Sequence, residues 1–273
     1  MPSPTEITVP QLMRLVGTPD APTLIDLRTD EDFAADPRLI PGAFRHRFAE
    51  VATLVPALRQ RRAVVYCQKG RKISQGAAAL LRIEGVACEV LEGGQIAWRD
   101  ASAPMVAATA LSAPDAEGRS LWVTRHRPKI DRIACPWLVR RFVDPRARFL
   151  FVPPEDVALV AERFGAVPFD IEGAGLTHAG ERCSFDAVLD AFGLQSAPLE
   201  RVATIVRGAD TNRHDLAPEA AGLLALSLGL SRMYRDDLAQ LEAGMTLYDA
   251  LYRWARDATE EGHDWPAAAV RPS

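Results

Sequence analysis

The chain has 273 residues, 48% of them hydrophobic and 25% charged, with a formal net charge of −4. That composition is ordinary for a globular protein, and the length is that of about two domains. The negative balance gives no global basic field for nucleic acid, the run from Ala220 to Leu230 is too short to span a bilayer, and the opening Met1-Pro2-Ser3-Pro4-Thr5-Glu6 lacks the basic start and apolar stretch of a signal peptide.

Residues 1–100 alternate between strand and helix patterns. A short apolar strand is predicted at 23–25. Val51, Leu54, Val55 and Leu58 recur at helical spacing and predict a helix over 49–58, with Pro56 weakening its last turn. Strands follow at 63–66 and 86–91, and between them a helix over 75–84 stops before Gly85. Strands alternating with helices predict a parallel sheet covered on both faces. Residues 102–120 are alanine-rich, contain two prolines and show weak periodicity, which predicts a linker. Beyond it come a strand at 121–124, a helix over 130–142 and a strand over 148–152 stopped by Pro153-Pro154. The helix carries Ile130, Ala134, Trp137, Leu138 and Arg141 on one face. From Phe185 onward the pattern is mainly helical, and the halves share no internal repeat.

The four cysteines, at 67, 88, 135 and 183, form neither a CxxC pair nor a disulfide framework, so a soluble cytoplasmic protein with reduced thiols is expected. Cys88 and Cys135 fall on predicted buried elements, where a cysteine acts as a small hydrophobe. Cys67 is different. It ends an apolar strand, Val64-Val65-Tyr66, and opens the loop Gln68-Lys69-Gly70-Arg71-Lys72-Ile73 before an alanine-rich helix. Positive charge, a helix N-terminus and inward-turned N–H groups each lower a thiol pKa. The loop therefore suits a thiolate, a persulfide or an oxyanion above the sulfur, with Gln68 to Ile73 as the substrate cradle and Gly70 permitting its turn.

These residues carry a resemblance. Leu24-Ile25-Asp26-Leu27-Arg28, Glu31-Asp32-Phe33, Ile40-Pro41-Gly42-Ala43, Val64-Val65-Tyr66-Cys67 with Gly70, and Leu91-Glu92-Gly93-Gly94-Gln95-Ile96-Ala97-Trp98 stand in the order of a rhodanese domain. The resemblance implies a five-stranded parallel sheet and a persulfide-forming Cys67 that takes sulfur from a donor such as thiosulfate. Two departures bear on donor preference. Arg38-Leu39 stands where the family usually has Gly-His, and Lys72-Ile73 replaces the usual arginine-serine, with Ser74 one place later. Asp26 and Arg28 read as a strand-end salt bridge bracing the sheet rather than as catalytic groups.

The second block holds Arg125-His126-Arg127-Pro128-Lys129-Ile130-Asp131-Arg132 at a strand-to-helix turn. Arg125, Lys129, Asp131 and Arg132 are a candidate anion site, against the alternative of a solvated basic turn. His178 and Cys183 are candidate metal ligands, although their spacing matches no standard zinc signature. No cofactor is called for. The stretch Pro128 to Phe142, with Phe149-Leu150-Phe151-Val152-Pro153, Val167-Pro168-Phe169-Asp170 and Ile205-Val206-Arg207-Gly208-Ala209-Asp210-Thr211, resembles a ChrB-type chromate-resistance domain. That family implies a link to chromate tolerance without a settled reaction.

The expected fold is α/β: an N-terminal rhodanese-like parallel sheet with flanking helices, plus a mainly helical α+β C-terminal domain. The expected boundaries are 1–104 for the first domain, 105–119 for the linker, 120–262 for the second domain and 263–273 for a tail. The leading functional expectation is a sulfurtransferase with a small sulfur donor, a thiol acceptor and a chromate or other oxyanion as partners, with no membrane and no nucleic acid. Its alternatives are a chromate- or oxyanion-responsive sensor, and a scaffold that retains only the fold.

Overall fold

The structure, a computed structural model, describes residues 5–110, 114–115 and 118–262; the expected tail 263–273 and residues 111–113 and 116–117 of the expected linker lie outside them. The first half runs β1 (Glu6–Ile7), α1 (Val9–Met13), β2 (Thr23–Asp26), α2 (Asp30–Ala35), β3 (Arg38–Leu39) and β4 (Phe44–Arg45). A 3-10 stretch (Phe48–Leu54) follows, then α3 (Val55–Leu58), β5 (Arg62–Tyr66), α4 (Lys72–Ile83), β6 (Ala87–Leu91) and α5 (Gly94–Asp100). The helix expected over 49–58 is thus 3-10 for its first part, and Pro56 falls in the first turn of α3, where its missing N–H is harmless.

β1, β6, β5, β2 and β4 lie side by side in that order, every neighbouring pair parallel. Alternation along the strands sorts their side chains. Ile25, Ala63, Val65 and Val90 face Ala77, Ala78 and Leu81 of α4, with Val51 and Leu58 beside them. Leu24, Val64, Tyr66 and Leu91 face the opposite way, into a core that continues into the second half. A sheet buried on both faces reads as continuous apolar runs, and Ala63-Val64-Val65-Tyr66 is one.

The second half runs β7 (Val106–Ala107), β8 (Leu121–Arg125), α6 (Asp131–Leu138), a π-helical extension (Val139–Val143), β9 (Arg148–Val152), α7 (Val157–Phe164) and β10 (Val167–Pro168). Four helices complete it: α8 (Ser184–Phe192), α9 (Ala197–Asp210), α10 (Glu219–Met233) and α11 (Asp237–Asp257). β10, β8 and β9 form a small parallel sheet. α6 is buried nearly all round, which is why the predicted single apolar stripe understates it: Ile133, Ala134, Cys135, Trp137 and Leu138 are all core.

The expected linker is partly built into the fold. β7 pairs antiparallel with β3, and Ala103, Met105 and Val106 are buried. The halves then meet in one continuous apolar core that joins Leu24, Tyr66 and Trp98 to Trp122, Trp137 and Phe142. The Gly42 N–H donates to Phe142 O at 2.7 Å, and a Cβ at Gly17 would strike the Phe142 ring. No helix among the described residues is long and apolar enough to cross a membrane.

Candidate functional site

Cys67 follows the last residue of β5 and α4 begins at Lys72, three residues earlier than the periodicity predicts. The early start places Ser74 in the first turn, with its Oγ 3.3 Å from Cys67 Sγ. A second element shapes the loop. Gln95 and Ile96, in the first turn of α5, donate main-chain N–H groups to Cys67 O at 3.0 Å and Gln68 O at 3.1 Å. With the carbonyls held by α5, the N–H groups of Lys69, Arg71 and Ser74 are left to the sulfur.

Two glycines make that approach feasible. Gly70 has φ +65°, and a Cβ there would sit 2.8 Å from Gly94 N and 2.9 Å from Gly93 N. Gly94 has φ +62°, and its Cβ would collide with Cys67 O and Gly70 N. Neither position admits a side chain without opening the loop. Lys69, Arg71 and Lys72 are exposed at the rim, while Gln68 and Ile73 are half-buried.

Burial alone pushes the Cys67 thiol up. The Ser74 hydroxyl and the N–H groups of Ser74, Arg71 and Lys69 outweigh it and hold the group below its ordinary 9.0. The other three cysteines move the opposite way, all by burial: Cys88 to about 11, and Cys135 and Cys183 well above the ordinary value. Cys67 is 5% exposed, at the floor of the cradle. Replacing Ser74 by alanine removes the hydroxyl donor. The pH profile of Cys67 alkylation is expected to move to higher pH, by about half a unit to one unit. An unmoved profile would show that the hydroxyl does not support the thiolate. The linkage sign follows from the lowered folded value: the thiolate's contribution to stability is full above the unfolded pKa and is lost as pH falls through the folded one.

Asp26 and Arg28 form a fully buried ion pair beside the cradle. Arg28 Nε and Nη2 donate to the Asp26 carboxylate, Nη2 to Oδ2 at 2.6 Å, while Nη1 reaches Asp36 O and Nη2 also reaches Arg38 O. The pair braces the sheet, and its donors and acceptors are directed at each other and at main chain.

In the second half, four side chains meet from four segments. Asp131 opens α6, Asp170 follows β10, His178 lies on the next loop and Asp210 ends α9. His178 Nε2 lies 3.0 Å from Asp210 Oδ2, 3.3 Å from Asp131 Oδ2 and 3.5 Å from Asp170 Oδ1. Arg125 Nη2 donates to the far oxygen of Asp170 at 2.8 Å, Arg132 Nε lies 3.0 Å from that oxygen as an ion pair, and Ser184 Oγ donates to the near oxygen. The hydrogen bond with Asp131 raises His178 to about 9, whereas burial, then Asp131, raises Asp210 to about 7.

Of the candidate anion-site residues, Arg125 and Arg132 both pair with Asp170, and Asp131 faces the His178 imidazole. Lys129 lends Arg132 a main-chain carbonyl. His178 and Cys183 do not come together as ligands. Cys183 is fully buried at the start of α8, where its Sγ and N–H both face Asp186. The partners of His178 are instead Asp170 and Asp210. Both lie in stretches that carried the family resemblance, Val-Pro-Phe-Asp and Arg-Gly-Ala-Asp, and a carboxylate closing each apolar element was the available signal.

Residues 8–101 match the rhodanese-like domain family, and residues 122–255 match the ChrB C-terminal domain family. The chain joins a rhodanese-like domain to a ChrB C-terminal domain. Protein ChrB of Cupriavidus metallidurans is 32% identical over 197 residues, covering 67% of this chain and 59% of that protein, so the match spans less than two thirds of the relative. Among solved structures, a protein of unknown function and possible tyrosine phosphatase from Rhodopseudomonas palustris is 26% identical, covering 37% of this chain and 83% of its own, with a TM-score of 0.33. A rhodanese-related protein from Thermoplasma volcanium is 22% identical, covering 37% of this chain and 96% of its own, with a TM-score of 0.32.

Proposed function

We propose that the chain is a sulfurtransferase that carries sulfane sulfur on Cys67 and serves chromate resistance in the reducing cytoplasm. Both family matches support the coarser statement, a sulfurtransferase-family fold with a chromate-resistance association. The observation that carries the finer one is the Cys67 cradle, where loop N–H groups and Ser74 converge on the one cysteine of four whose thiol is held low. All four cysteines are free, in keeping with a reducing compartment.

In this reading the Cys67 thiolate attacks the outer sulfur of a donor such as thiosulfate. The donor S–S bond breaks, sulfite leaves with the electron pair, and a new S–S bond forms on Cys67. The cradle holds the charge of the departing sulfite and then of the persulfide. An acceptor thiolate attacks the outer sulfur, the Cys67 S–S bond breaks, and the thiolate is restored. Lys69, Arg71 and Lys72 at the rim attract the anionic donor as exposed point charges.

The test is thiocyanate formation from thiosulfate and cyanide, with intact-mass detection of the added sulfur atom. Cys67→Ser is expected to lower turnover at least about a thousandfold and to abolish the mass gain. Turnover that survives the substitution would remove Cys67 from the mechanism. No turnover and no mass gain in the wild type with any sulfane donor would leave an oxyanion-responsive sensor as the better reading.

A further inference from the structure

The acidic cluster of the second half has more acceptors than protons. One imidazole nitrogen, His178 Nε2, lies within 3.5 Å of oxygens from three different carboxylates. It carries one hydrogen at most and can donate to one of them. Arg125 and Arg132 pair with the far oxygen of Asp170, so one imidazole is left to answer Asp131, Asp210 and the near oxygen of Asp170. We propose that Asp131, Asp170 and His178, whose ligand atoms lie within 4.8 Å of one another, bind one divalent first-row cation, with Asp210 in reach of the same imidazole.

The spacing fits such an ion. Ligand atoms bound to one cation at about 2.0–2.2 Å stand about 3.0–3.5 Å apart, and the distances from Nε2 are 3.0, 3.3 and 3.5 Å. Three carboxylates, one imidazole and no thiolate favour a cation of the Mn²⁺, Fe²⁺ or Zn²⁺ kind over a soft one.

The surroundings are those of a metal site. Asp170 is oriented from behind by Arg125 and Arg132, and Ser184 donates to the near oxygen that faces the cluster. Asp210 ends the long helix α9, whose carboxyl end adds negative potential. Thr124 adds an independent observation. It is fully buried, and its hydroxyl has no hydrogen-bond partner. It lies at the carboxyl end of β8 on the Trp122 face, the side covered by α8, from whose first residue Ser184 reaches Asp170. The His178 side chain is 40% exposed, which gives an ion an entry path and leaves room for solvent or an anion on that side.

The experiment uses the full chain, stripped with chelator and desalted. Mn²⁺ binding is followed by electron paramagnetic resonance and Zn²⁺ binding by calorimetry. One equivalent is expected to bind, and both ions should raise the melting temperature. Asp131→Asn and Asp210→Asn are expected to weaken binding at least about tenfold and to lose the thermal shift. These variants keep the side-chain shape, and circular dichroism of their ion-free forms checks that they remain folded. Asp190→Asn, which alters an exposed carboxylate paired with Arg182, should bind as the wild type does. No saturable binding of either ion, or equal affinity in the wild type, Asp131→Asn and Asp210→Asn, would overturn the assignment. Sulfur transfer is not the readout, so this proposal and the Cys67 reading fail separately.

Discussion

Replacing Asp26 by alanine is expected to destabilise the protein by about 3–5 kcal/mol, the cost of leaving a buried charge without its partner. Both side chains of the pair are fully buried, and Asp26 takes two hydrogen bonds from Arg28 Nε and one from Nη2. Without Asp26 the guanidinium keeps the carbonyls of Asp36 and Arg38 and the face of the Phe33 ring, none of which carries a full negative charge. The effect should spread to the cradle, because Asp26 pairs in register with Tyr66, the residue before Cys67. Urea unfolding of Asp26→Ala measures the loss. A double replacement, Asp26→Leu with Arg28→Met, should recover most of it, because apolar residues of similar size need no counter-charge. A loss below about 1 kcal/mol in the single variant would mean that the pair does not brace the sheet.

The N-terminal domain is legible in the sequence because its elements are locally coded. Apolar runs at 23–25 and 63–66 mark buried parallel strands, which the structure extends by one residue each, to Thr23–Asp26 and Arg62–Tyr66, and Gly85 stops α4 close to where it ends. Cys67 and its loop stand out for the same reason, since nucleophile, glycine and cations lie within a few residues. The role of Gly93 and Gly94 in shaping that loop is not local. It arises only when α5 folds back to hold the carbonyls of Cys67 and Gln68. The acidic cluster is less legible still. Asp131, Asp170, His178 and Asp210 come from four separate segments, and each alone reads as a cap or a loop residue. The cations near Asp131 suggested an anion site, and only the fold shows that Arg125 and Arg132 answer to Asp170. The two-residue strand β7 is too short to give a period, so its stretch reads as linker although Met105 and Val106 are buried.

Replacing Phe142 by alanine is expected to cost about 3–5 kcal/mol and to loosen the union of the two domains. The ring is fully buried and stands edge-on to Tyr252 at 5.3 Å and to Trp137 at 5.7 Å. Its other side fills the space at Gly17, and its main-chain carbonyl takes the Gly42 N–H. Phe142 therefore belongs to the second domain by sequence and to both by packing. Because one apolar core runs through both halves, the wild type should unfold in a single calorimetric transition. Removing the ring deletes contacts on the seam while leaving the α4 side of the first sheet untouched. The transition in Phe142→Ala is then expected to broaden or split, with the second domain melting first because the ring also packs its own aromatic core. A single sharp transition at the wild-type temperature would show that the seam contributes little. A single wild-type transition that splits in the variant would establish that the seam joins Cys67 and the acidic cluster in one cooperative body, which is what any coupling between sulfur chemistry and a bound cation would require.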